Sequence, residues 1–251
     1  MTRRLALLAV LVNASLAYAA DEAFPEASTI LDRYVEVTGG KEAYAKHKSE
    51  IESGTLVYPA QGIKAKIMRY AAEPDHYLAS VEITGIGKMD TGVTDGIAWD
   101  NSVVLGARIK SGDEKALAIR EATFNATLHW RKLFPKAETT GTETVDGEVC
   151  YKVLLTPAEG RAETRYYSRE SGLLLKATTV AVTQMGEVPV EMRFSGYKEW
   201  NGVRTASVIT QKAAGQEFTI TIESVRVNEE IPAGKFGLPT EIRAILDKPA
   251  K

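Results

Sequence analysis

Residues 111–134 read SGDEKALAIREATFNATLHWRKLF, the one long helical stretch in a chain that otherwise reads strand after strand. Ser111 with Glu114 three residues on has the form of a capping box, in which each side chain satisfies a backbone N–H of the first turn. Apolar residues then recur at helical spacing, Ile119, Ala122, Ala126, Trp130 and Leu133 on one stripe and Leu117, Phe124 and Leu128 on the next. Pro135 stops the segment, and the β-branched, cap-prone run Thr123, Asn125 and Thr127 is placed to break it in two. A helix with so wide an apolar face must lie on something. Either it completes the core of a β protein or it is a lid over a ligand groove.

On both sides of it the hydrophobic period is two. Ahead of it, residues 51–58, 62–71, 76–84, 88–94 and 97–100 read as strands, separated by the turn sequences Glu73-Pro74-Asp75, Gly85-Ile86-Gly87 and Asp95-Gly96. After it, Asp146-Gly147, Glu159-Gly160, Ser171-Gly172, Met185-Gly186, Asn201-Gly202 and Ala214-Gly215 fall 12 to 16 residues apart, the spacing of long antiparallel neighbours. The fold class expected is mainly β: a curved antiparallel half-barrel of about eleven strands with a helical lid on its concave face. Alternation assigns the inward face to Ile63, Ala65, Ile67; Tyr77, Ala79, Val81, Ile83; Val149, Tyr151, Val153, Leu155; Val188, Val190, Met192, Phe194; and Phe218, Ile220, Ile222. Lys64, Lys66, Lys152, Glu191, Arg193 and Glu223 then face water.

At the start, Arg3 and Arg4 precede an apolar run, Leu5 to Val12, and Ala17-Tyr18-Ala19 has the A-x-A form of a cleavage site, so residues 1–20 read as a secretory signal peptide. That run is too short to span a bilayer, and nothing later approaches the ~20 apolar residues a membrane helix needs. Residues 21–251 are expected to be one soluble periplasmic domain. It opens with a short helix from Ser28 or Thr29 whose Ile30, Leu31, Tyr34 and Val35 share a face, ended by Gly39-Gly40, with a further turn or two over residues 41–46. Without residues 1–20 there are 29 basic against 33 acidic residues, a formal charge of −4. With no basic, aromatic-interleaved cluster, nucleic acid is not an expected partner. Cys150 is the lone cysteine, which leaves no thiol for a lipid anchor near the cleavage region and no disulfide within the chain.

The order of three motifs carries a resemblance. Pro74-Asp75-His76-Tyr77, then Asp95-Gly96-Ile97-Ala98-Trp99 in a strand-turn-strand context, then the Tyr197-Lys198-Glu199-Trp200-Asn201-Gly202-Val203 hairpin follow a leader, a first helix and a helical insertion. That arrangement resembles the LolA/LolB-like family of periplasmic lipoprotein carriers and outer-membrane lipoprotein-sorting proteins, over most of residues 21–251. The resemblance implies a concave sheet, covered by helices, that receives acyl chains. It also implies an arginine near the end of the second strand, next to a proline, that holds the closed state; Arg69 is the nearest candidate, although Glu73 precedes Pro74.

Chemistry-bearing patterns are sparse. His47, His76 and His129 have no metal-ligand spacing. Ser195-Gly196-Tyr197-Lys198 has the S-x-x-K spacing of a serine nucleophile and its lysine, but on an expected strand residues three apart point to opposite faces. Gly85 and Gly87 join two strands and lack the third glycine of a dinucleotide fingerprint. Cys150 alternates outward from Val149 and Tyr151 and reads as a structural thiol. No catalytic residue, metal or cofactor is therefore expected. Inward alternation, the lid stripes and the resemblance single out Ile67, Arg69, Tyr77, Val81, Trp99, Leu117, Phe124, Leu128, Trp130, Leu155, Met192, Phe194, Phe218 and Ile220 as ligand-binding candidates. The expected function is a monomeric periplasmic carrier for an acyl chain, lipid or lipoprotein. One alternative is a sensor module that binds lipoprotein or a membrane protein, although residues 228–251 leave little room for the further domain such regulators carry; the other is an envelope hydrolase.

Overall fold

The structure, a computed structural model, describes residues 24–183 and 186–248; the expected leader over residues 1–20 and Met185 of the expected Met185-Gly186 turn lie outside the described residues. Two helices, α1 (Ala27–Val37) and α2 (Gly40–Lys46), lead into β1 (Ser49–Tyr58), β2 (Ile63–Ala72), β3 (His76–Ile83), β4 (Gly87–Thr94), β5 (Ile97–Ser102) and β6 (Gly106–Ile109). After α3 (Gly112–Ala122) and α4 (Trp130–Leu133) come β7 (Lys136–Val145), β8 (Glu148–Thr156), β9 (Glu163–Ser168), β10 (Leu174–Thr183), β11 (Gly186–Trp200), β12 (Val203–Ala213), β13 (Gln216–Val227) and α5 (Thr240–Leu246).

The strands form one 13-stranded antiparallel sheet, ordered β6-β5-β4-β3-β2-β1-β13-β12-β11-β10-β9-β8-β7. It is two meanders joined at the centre by the pairing of β1 with β13. Sequence-local hairpins dominate because the turn residues enforce them. Asp95-Gly96, Asp146-Gly147, Asn201-Gly202 and Ala214-Gly215 all have positive φ at both positions, the backbone twist that matches a right-handed antiparallel pair. The edges β6 and β7 do not meet, so the sheet is not a closed barrel, and α3 with α4 is the connection between them. That connection touches β4 and β5 on one side and β10 on the other. Since β4 and β10 stand seven places apart in the sheet, the sheet must curl around α3, and the face that α3 covers is concave.

Packing divides between the two faces. On the inside, α1 buries Ile30, Leu31 and Val35 against Val153, Leu155, Tyr167 and Leu174, with Trp130 and Phe134 from the α4 region. On the opposite wing Ala122 of α3 packs on Val93 and Ala98, with Ala118, Ile119 and Tyr77 alongside. On the outside, Ile242 of α5 covers Leu78 and Trp99.

Several expectations need correcting. The described residues form thirteen strands rather than about eleven, partly because β6 is too short to leave a period-two signature. The helix does break at Thr123, so α3 spans 11 residues, not the whole of 111–134. Ser111 makes no side-chain cap hydrogen bond, and the Glu114 carboxylate, the other half of the expected box, binds Arg108 in a bidentate ion pair instead. Cys150 lies opposite Tyr151 as expected, but that outer surface is not uniformly wet: Cys150, Val145 and Tyr166 form a small buried cluster there with Leu175 against it. Val149, assigned to the inward face, is exposed beside the Asp146-Gly147 turn. Helix α5 had no expectation at all.

Candidate functional site

Directly opposed residues of an antiparallel pair point to the same side. From Tyr77 opposite Val93, under α3, the register therefore carries the concave face outward through Ala79 opposite Thr91 and Val81 opposite Met89. It continues through Met89 opposite Ser102 and Thr91 opposite Asp100 to Asp100 opposite Arg108. This surface forms a pocket of about 440 Å³ whose apolar wall is Ala79, Val81, Met89 and Leu105 and whose charged side is Asp100 and Arg108. The volume falls in the ~300–1,000 Å³ range of small-molecule sites.

Farther along the same face, toward the sheet's centre, Arg69 stands opposite Ala79 and Ile67 opposite Val81. Here a smaller cavity of about 90 Å³ is lined by Ile67, Arg69, Tyr77, Ile209, Ile220 and Ile222 together with Glu52 and Ser53. Its walls are oily except for one ion pair, Arg69 with Glu52. Burial works against the Arg69 charge, but the Glu52 carboxylate outweighs it and holds the guanidinium above its ordinary pKa. Burial also raises the Tyr77 hydroxyl, with Arg69 pulling the other way.

The lid contributes charge as well as grease. Glu121 of α3 keeps solvent access although protein surrounds it: its electrostatic neighbours are Glu163 and Arg165 on one wing and Tyr77 on the other. Burial, reinforced by the Glu163 carboxylate, raises its pKa, and Arg120 only partly opposes this. Arg165 donates to Glu163 at 2.6 Å, and Arg165 and Arg120 lie over the Phe134 ring at 5.1 and 5.4 Å. Beside the apolar contacts of α3 with β4 and β5 there is thus a belt of charged side chains.

Ion pairs fasten α3 to both wings. Arg108 of edge strand β6 holds Glu114 with one bond of 2.7 Å and a second, shorter one, and Lys110 shares Asp100 with it at 3.0 Å. On the far side Arg161 reaches Asp113 at 2.8 Å, and Arg120 reaches Glu163 at 3.6 Å. The C-terminal end is tied down by hydrogen bonds instead. The Phe124 N–H donates to the Pro74 carbonyl at 3.0 Å, and the Asn125 amide donates to the carbonyls of Tyr44 and His47 at 2.9 and 3.3 Å. Asn125 adopts φ 51 to do so, a backbone conformation that Asn accepts more readily than most residues.

Of the expected ligand-binding residues, Ile67, Arg69, Tyr77 and Ile220 meet around the central cavity and Val81 lines the larger pocket. Met192 and Phe194 on β11 are half-buried. Phe218 is also half-buried and stacks on Tyr58 at 5.0 Å. Leu117 is half-buried on α3 and Phe124 is buried just after it. Leu155, Trp130, Leu128 and Phe194 belong to the core built on α1 and fill it. Trp99 is on the wrong face: it stands opposite Gly92, on the outer side with Leu78 and Ile242. Sequence reasoning missed Leu105 and Arg108, since it carried the fifth strand only to Asp100 and recognised no sixth, and it missed Met89 because strand 88–94 was given no inward face. Ala107, Arg108 and Ile109 do alternate, but three residues are too few to mark a strand by period. Among the described residues no group of three or more His, Cys, Asp or Glu could hold a metal ion.

No protein-family model matches the chain, and no curated protein matches its sequence. Solved structures do share its fold. A DUF1329 family protein from Desulfovibrio piger superposes with a TM-score of 0.59 at 13% identity, over 85% of this chain and 98% of that one. A LolA superfamily protein from Nitrosomonas europaea gives 0.58 at 11% identity, over 85% and 98%. A putative outer membrane lipoprotein-sorting protein domain from Vibrio parahaemolyticus gives 0.54 at 11% identity, over 87% and 100%. The chain therefore has a LolA-like fold.

Proposed function

We propose that this chain binds a lipid or other acyl-bearing amphiphile in the periplasm, with the apolar tail in the concave pocket of β3–β6 beside α3. The observation that carries the reading is that pocket, about 440 Å³ with an apolar wall, on the concave face of a LolA-like sheet. Each methylene moved out of water contributes ~0.8 kcal/mol, so a tail of several carbons supplies useful affinity before ordering costs are subtracted. Below α3 the smaller cavity and the charged belt suit the polar end of an amphiphile better than more hydrocarbon.

The reading is of a binder rather than a catalyst. Arg69, Arg108, Arg120 and Arg165 each already hold a carboxylate, and burial pushes the Cys150 thiol up to about 11, far from a reactive thiolate. The proposal covers transfer of lipoprotein between membranes as well as storage or sensing of a lipid. The test is mass spectrometry of lipid copurifying with the protein, followed by delipidation and titration with a fluorescent fatty acid. Saturable one-to-one binding supports the reading; no binding at any concentration up to the solubility limit of the probe overturns it.

A further inference from the structure

Four large aliphatic side chains stand out in solvent at one end of the sheet: Ile86 (49% exposed), Val103 (66%), Val104 (64%) and Leu105 (84%). Ile86 is in the β3–β4 turn and the other three are in the β5–β6 turn; since β4 pairs with β5, the two turns are neighbours. Their contact is specific. A Cβ on Gly87 would come within 2.8 Å of Val103 Cγ2, so the glycine lets Val103 sit against the neighbouring hairpin and makes the two turns one tip. The tip is also set in shape, because the N–H groups of Val104 and Leu105 donate to Ser102 Oγ at 3.1 and 3.3 Å. Apolar groups held rigidly in water indicate a surface that something else covers.

Two observations select the cover. Area is the first: four side chains offer a few hundred Å² at most, well short of the roughly 800 Å² per partner of a stable protein interface. A bilayer needs no complementary shape and accepts shallow insertion of isolated side chains. Charge is the second. Behind the tip, on the outer face, one trough of about 730 Å³ is lined by Lys64, Lys66, Lys88 and Lys235 along with Glu82 and Glu223. Lys88 pairs with Asp90 at 2.8 Å and Lys235 lies over the Tyr70 ring at 4.3 Å. Lys64 and Lys66 are exposed and, among the described residues, make no ion pair. Lysines placed behind an apolar tip fit the headgroups of an anionic bilayer.

We infer that the tip formed by Ile86, Val103, Val104 and Leu105 inserts into the surface of an anionic phospholipid membrane. Leu105 also lines the concave pocket, so the docked tip brings the pocket's edge to the lipid surface. The inference does not depend on what the pocket binds.

The test uses the full chain without residues 1–20 and co-sedimentation with vesicles of phosphatidylglycerol and phosphatidylethanolamine or of phosphatidylcholine alone. The protein is expected to sediment with the anionic vesicles. Val104→Asp, which does not touch the pocket, should weaken that binding by about tenfold or more while leaving uptake of a soluble fatty acid unchanged. Val104→Trp should bind as the parent does, with its added fluorescence moving to the blue on vesicles. Lys64→Glu with Lys66→Glu should abolish the preference for anionic vesicles. The inference is overturned if the parent sediments with neither vesicle, or if Val104→Asp, melting like the parent, binds anionic vesicles equally well. Self-association that Val104→Asp abolishes would also overturn it, because the tip's occupant would then be a second copy of the chain. Loss of fatty-acid uptake in the parent, with vesicle binding intact, would sink the proposed function and leave this inference standing.

Discussion

Replacing Trp99 with alanine would separate the two faces of the sheet experimentally. Trp99 is 2% exposed. Its ring lies on Gly92, where a Cβ would come within 2.5 Å of the indole, and Leu78 and Ile242 close around it. Truncation leaves a cavity that the glycine beneath cannot fill, at a cost of ~3–5 kcal/mol. Its one hydrogen bond, from Nε1 to Thr94 Oγ1 at 3.4 Å, is long and adds little. At ~2–4 °C per kcal/mol for a chain of this size, the melting temperature should fall by roughly 6–20 °C. Because the indole is on the outer face, affinity for a fluorescent fatty acid measured well below melting should change less than about threefold, the usual limit for sites without shared partners. Circular dichroism melting and a fluorescence titration on the same preparation provide both numbers. A large loss of affinity with little loss of stability would refute the assignment of faces and put Trp99 back in the ligand site.

Val81 lines the pocket from the concave face, so Val81→Glu should weaken fatty-acid binding by at least about tenfold with a smaller effect on melting; unchanged affinity would move the ligand elsewhere. Arg108→Ala removes the bond to Glu114 and leaves that carboxylate without its partner. With the Arg108 side chain 28% exposed, we expect a cost of about 1–2 kcal/mol. Hydrogen exchange in the first turns of α3 should then be roughly tenfold faster, and no acceleration would mean the lid does not depend on this latch. Glu121 has a raised pKa when folded, so its neutral form stabilises the fold at low pH. That stability is lost as pH rises from about 4, the ordinary carboxylate value, through the raised one. Glu121→Gln should accordingly melt like the parent at acid pH and above it at neutral pH, a comparison made by scanning both proteins from acid to neutral; an advantage independent of pH would show that Glu121 titrates normally.

The mainly β class and most strand ends were legible because turn chemistry is local: Asp95-Gly96 or Asn201-Gly202 favours its reversal whatever packs nearby. So was the break at Thr123, for the same reason. What escaped depended on partners distant in sequence. Ser111 and Glu114 look like a capping box until Arg108, six residues before Glu114, draws the carboxylate away. Trp99 belongs to an alternating strand both of whose faces are covered, by α3 on one side and α5 on the other, so alternation could not say which face was the groove. The central cavity was legible on the strands that carry Ile67, Tyr77 and Ile220, whose outer faces are polar enough to mark the inner one. The Arg69–Glu52 pair was not, since no spacing along one chain announces an ion pair across two strands.

The most direct test of the whole account is a crystal structure of the protein bound to a fatty acid brominated near its tail, read by anomalous scattering. The account predicts a bromine peak on the concave face among Ala79, Val81, Met89 and Leu105. A peak on the outer face, or a fully bound ligand with its tail anywhere outside that pocket, would contradict it.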